Sequence, residues 1–176
     1  MTVARVLAMI LLLQGLGCST SPASQTPSTE FPAIRLLRHD IKAMIDPSSH
    51  RLRGLDRVTI KTGEREVREV VVTLNKALVV AWVSREDQLL PFDSRPLPAS
   101  TELDAGRAHQ IVVRLDRPAR AGETFALDFD YAGEINDPPK EPRHLRFVTP
   151  SETSGYIGSE GVYIGPETYW YPDVPD

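Results

Sequence analysis

Apolar residues fall at every second position in five separate stretches of this chain, and a period of two fits strands with one buried face rather than helices. Ile41, Ala43 and Ile45 alternate with Asp40, Lys42 and Asp46, and Val58 and Ile60 alternate with Arg57, Thr59 and Lys61. Val70, Val72 and Leu74 face one way, while Ile111, Val113 and Leu115 alternate with Arg114 and Asp116. The clearest run is Phe125, Leu127, Phe129 and Tyr131, set among Thr124, Asp128 and Asp130. Four large apolar groups on one face and acids on the other describe a strand packed on one side and wet on the other.

Turn chemistry divides the strands. Asp46-Pro47-Ser48-Ser49 closes the first, Asn75-Lys76 separates two more, and Pro118 to Gly122 precedes the Phe125 strand. Pro91, Pro96 and Pro98 mark a loop, and Gly63 to Arg68 has room for a helical turn and no more. Beyond Gly133 the alternation stops. A stiff Pro138-Pro139 and Pro142 segment leads into a Gly- and Ser-rich stretch from Thr149 to Gly165, then into Tyr169-Trp170-Tyr171-Pro172. No closing strand is expected there. The aromatic group is expected either to cover one end of the domain or to dock on another. The fold class that follows is all-β, an antiparallel β-sandwich.

The start of the chain reads differently. Val6 to Leu13 is an apolar run of eight behind Arg5, the length of a signal-peptide core. Gly15-Leu16-Gly17-Cys18 resembles a bacterial lipobox, with Gly15 where Leu is usual. Cys18 is the only cysteine, so neither an internal disulfide nor a cysteine zinc cluster is available. The expected organisation is a signal peptide over 1–17, an acylated (palmitate-bearing) Cys18 and a flexible Ser/Thr/Pro-rich tether over 18–34, and the sandwich over 35–176. Several acyl chains hold a protein firmly where one does not. Ser19 after the cysteine points to the outer membrane, the domain facing the periplasm. A plain secretory leader and an uncleaved anchor are the alternatives.

The formal net charge of −4 gives no electrostatic case for nucleic acid. Chemistry is equally sparse. His39, His50, His109 and His144 form no helical zinc pair and read as surface or rim residues; no serine elbow or phosphate loop occurs. Asp128/Asp130 and Glu64/Glu66 read as solubility charges on wet faces. No catalytic residue, metal ligand or cofactor is expected in this chain.

In order and spacing, these features resemble the N-terminal β domain of aminopeptidase N-type zinc metallopeptidases, the gluzincin aminopeptidases. The segments that carry the resemblance are His39 to Pro47 with Gly54 following, Val70 to Leu74, Tyr131-Ala132-Gly133, and Tyr169-Trp170-Tyr171-Pro172 with Glu160-Gly161-Val162-Tyr163 before it. Together they cover Leu36 to Asp176. The resemblance implies a saddle-shaped β domain, truncated or split from the catalytic domain it would scaffold. Zinc would enter only through that partner. It also implies an acidic group for a substrate's free amine, for which Glu160 and Glu167 are the counterparts. Asp173 stands where the family commonly has a cysteine. The alternative is a free-standing envelope lipoprotein that binds peptide, glycan or protein through Tyr156, Tyr163, Tyr169, Trp170 and Tyr171. An enzyme in its own right is the remaining reading.

Overall fold

A computed structural model describes residues 33–97, 106–138 and 153–174. The signal-peptide, Cys18 and tether readings, Pro98, His144 and the Pro139–Pro142 segment lie outside these residues. The compact unit from Phe31 to Asp176 carries the strands. They are β1 (Ile34–Asp46), β2 (Arg51–Thr62), β3 (Val67–Asn75), β4 (Leu78–Arg85), β5 (Gln88–Leu90), β6 (Phe92–Pro96), β7 (Ala108–Ala119), β8 (Thr124–Glu134), β9 (Asn136–Asp137), β10 (Gly155–Gly158) and β11 (Gly161–Tyr163). The one helical element described is a 3-10 turn at Pro166–Thr168.

Two antiparallel sheets face each other, and a small third sheet extends them. The larger runs β1-β2-β8-β4-β5, the second β3-β7-β6, and the third β11-β10-β9. Alternation decides which residues meet. Leu52, Val58 and Ile60 of β2 and Phe125, Leu127 and Phe129 of β8 are buried against Val70, Val72, Leu74, Ile111 and Val113 of the second sheet. Each such side chain contributes roughly 1.5–3 kcal/mol by leaving water, which outweighs any single polar contact at the rim.

The turns follow local chemistry. Asp46 accepts the Ser48 backbone N–H at 3.0 Å and both the Ser48 and Ser49 hydroxyls at 2.6 Å. These bonds hold its carboxyl down at about 2. Glu86 and Asp87 both take left-handed backbone, φ 51° and 64°, which turns β4 tightly into β5.

Four expectations need correction. Gly63 to Arg68 contains a bend rather than a helical turn, and β3 begins at Val67. The proline loop contains edge strand β6, whose last residue is Pro96, where a missing N–H costs no ladder bond. The segment after Gly133 does hold strands; at two to four residues each, they are too short to display a period. Asp130 is buried although it faces outward, because Arg53 lies over it with bonds of 3.1 and 2.7 Å. The three described histidines are half-buried and bonded, as rim residues are.

One of these has a pH consequence. His109 sits 2.9 Å from the Ser94 hydroxyl, its Nε2 is buried without a partner, and burial lowers its pKa. Protonation therefore favours the unfolded chain. The contribution is complete above the ordinary histidine value near 6.5 and is lost as pH falls through the lower folded value. Urea melts should show stability declining from pH 7.5 to 5.5. His109→Gln should flatten that decline; an unchanged slope in the variant would place its origin elsewhere.

Candidate functional site

Most of the segments that resembled a known β domain meet at one rim of the sandwich. On the inner face of the large sheet, β2 places Gly54 opposite Tyr131 of β8. The Tyr131 ring lies directly on that glycine: a Cβ there would stand 2.2 Å from the ring. Gly133, two residues on, packs as tightly, since a Cβ would meet the Ala77 carbonyl oxygen at 1.9 Å. Asp56, also on β2 and fully buried, receives His39 of β1 at 2.7 Å. Among the described residues, the second Asp56 oxygen and the Tyr131 hydroxyl have no hydrogen-bond partner. Burial, then the nearby Asp56 charge and Tyr171, push the Tyr131 hydroxyl's pKa well up.

The C-terminal segment closes this rim as a strap. Gly165 leads into the 3-10 turn, and Tyr169 leaves it in left-handed backbone, φ 54°. The Tyr171 ring then meets His39 edge-on at 5.0 Å, and Trp170 packs edge-on against Tyr171 at 5.1 Å. Both rings rest against the hydrophobic core. Asp173 pairs with Thr73 at the free edge of β3 through backbone bonds of 2.6 and 3.0 Å.

Asn75, the last residue of β3, ties the strap down. Its amide donates to the Ser154 carbonyl at 2.7 Å and the Thr168 carbonyl at 2.8 Å, and its oxygen accepts the Ala77 N–H at 2.9 Å. Its own N–H reaches the Tyr169 carbonyl at 2.7 Å. Sequence reasoning missed Asn75 and Asp56. Asn75 looked like a turn residue, and an aspartate on the apolar face of β2 was the available signal for a buried partner.

The acidic counterparts are placed differently. Glu167 receives the Tyr163 hydroxyl at 2.7 Å, which pushes that phenol up to about 12, and its carboxylate fills the space beside Gly165. Glu160 is exposed in the turn between β10 and β11. Tyr156 leans toward His50, ring centres 6.0 Å apart, and His50 bonds the Ile157 carbonyl. The strap thus brings Tyr171 to His39 with Trp170 behind it, while Glu160 stays at the tip of the small sheet.

On the opposite, outer face of the large sheet lies an open groove of about 420 Å³. Asp40, Lys42, Leu55, Arg57, Trp82 and Asp128 line it. Its charges are mixed, so it favours neither an anionic nor a cationic ligand. Among the described residues, no group of three or more His, Cys, Asp or Glu is placed to hold a metal ion. The His39–Asp56 pair neighbours a buried tyrosine with a raised pKa. Its geometry orients packed groups; it does not supply an acid, a base and a reacting centre together.

No protein-family model and no curated protein matches the sequence. Among solved structures, the chain is similar to M1 zinc metallopeptidase from Deinococcus radiodurans at 21% identity and TM-score 0.48, over 64% of this chain and 23% of that one. It is likewise similar to a mutant of that enzyme bound to a Tyr-Ser-Ala substrate, at 19% identity and TM-score 0.48, over 66% and 23%. A two-domain mutant form bound to L-arginine gives 20% and 0.46, over 66% and 23%. The chain thus spans about a quarter of the length of these proteins.

Proposed function

We propose that this chain is the non-catalytic N-terminal β domain of an aminopeptidase N-type envelope lipoprotein, a scaffold for a zinc peptidase catalytic domain. One observation carries the reading. Residues from separate motifs touch at one rim, Tyr131 on Gly54 and Tyr171 on His39. Scattered motifs that converge on one rim behave as parts of one device. Zinc and the activated water would belong to the catalytic domain. Of the two acidic counterparts, Glu167 is held in a fixed position by Tyr163 and is the better placed to meet a substrate amine. Cys18 would carry the acyl anchor, holding the domain on the periplasmic side of an outer membrane.

Capture of the full chain from envelope extract should co-purify a gluzincin peptidase polypeptide and an aminoacyl-anilide hydrolysis that a chelator abolishes. The purified chain supplied with zinc should show no turnover. Chelator-sensitive turnover by the chain alone, or capture with no peptidase activity, would overturn the proposal. Labelled palmitate should enter the wild-type chain and not Cys18→Ser.

A further inference from the structure

The large sheet ends on a long strand, β1. β2 occupies one side of β1, and among the described residues no strand pairs with the other. A bulge interrupts the register between Leu36 and Arg38, but from Arg38 to Asp46 the pairing with β2 is unbroken. That length presents regular, unpaired backbone donors and acceptors, the usual template for a further strand. Most side chains along it are exposed, among them Leu37, Met44 and Ile45.

We propose that β1 pairs antiparallel with β1 of a second copy of this chain, about a two-fold axis at Ile41. The charge pattern selects the occupant and the register. With Ile41 opposite itself, Asp40 faces the copy's Lys42 and Lys42 faces the copy's Asp40. A slip of the axis to Asp40 or to Lys42 would set a like pair of charges at the centre, which is destabilising. An even register also keeps the outer faces of both sheets on the same side. Asp40 already accepts Arg38 at 3.0 Å and lies opposite Arg57, whereas Lys42 makes no ion pair among the described residues. The Lys42 ammonium is therefore available to the copy. The contact is isologous, so the assembly closes at two subunits. It does not depend on the peptidase reading above.

Sedimentation of the full chain at about 100 μM, a concentration suited to a small interface, tests this. Wild type should contain dimer. Asp40→Lys and Lys42→Asp should each weaken association by about tenfold or more, because each sets two like-charge pairs across the axis. An equimolar mixture of the two variants should dimerise again, since every facing pair is then opposite in sign. Lys42→Asp removes no ion pair among the described residues, and a cooperative thermal melt should show that its monomer is folded and can serve as the reference. A monomeric wild type, or variants that dimerise as wild type does, or a mixture that stays monomeric, would each overturn the proposal.

Discussion

Asn75→Ala should lower the unfolding free energy by about 3 kcal/mol and loosen the C-terminal strap before the sandwich itself melts. The side chain is buried and satisfies three backbone groups: the Ser154 and Thr168 carbonyls and the Ala77 N–H. Leaving a buried polar group without its partner costs roughly 1–3 kcal/mol, far more than the net worth of an average hydrogen bond. Alanine removes all three bonds together, and entering water can restore only part of the loss. Asn75→Asp keeps the acceptor for Ala77 but turns carboxylate oxygens toward two carbonyls, so it should be no milder. Amide exchange gives the local readout. The Asp173 N–H bonds the Thr73 carbonyl at 3.0 Å and should lose protection in Asn75→Ala, while the β2–β8 amides keep theirs. Equal denaturation midpoints, with Asp173 still protected, would show that the strap is held by its aromatic rings instead.

Gly54→Ala should cost about 3 kcal/mol or more, the upper end of what overpacking a core produces. The new methyl would stand 2.2 to 2.5 Å from three atoms of the Tyr131 side chain, too close for a small adjustment. The ring cannot retreat, since Tyr131 is itself fully buried. Tyr131→Phe is the informative contrast. The hydroxyl has no partner among the described residues, so its removal should change stability by less than about 1 kcal/mol in either direction. Pairing Gly54→Ala with Tyr131→Leu should recover part of the loss, because the smaller side chain vacates the ring's place. Additive costs in that double variant would mean the two residues do not share the space, and the packing described for this rim would be wrong.

Period-two alternation made the sheet strands legible. Phe125, Leu127, Phe129 and Tyr131 point inward as the pattern required, and the turn at Asp46 to Ser49 stands where its residue types placed it. The bulges were hidden. Between Val80 and Trp82 the register shifts, so Val83 and Arg85 are buried and Trp82 turns to the outer groove, which no alternation rule anticipates. Arg85 is bonded to Glu123 at 2.7 Å and packed 4.6 Å over Phe125, so a cation occupies a position that burial alone would assign to an apolar side chain. The rim was legible only in pieces. Gly54 and Tyr131 were each noticeable, but their contact depends on a strand register linking residues 77 apart, and His39 meets Asp56 for the same reason. The strap's pairing with β3 comes from one isolated bridge, below the length at which any pattern can be read.

The rim joins residues from both ends of the described domain, His39 on its first strand and Tyr171 to Asp173 near its last described residue. During synthesis, the edge of β3 therefore stays unsealed from the time residue 75 emerges until residue 173 has left the ribosome. Such an edge invites pairing with neighbouring chains. Chains that stop between residue 75 and residue 173 should thus be more prone to clump than chains that extend past residue 173.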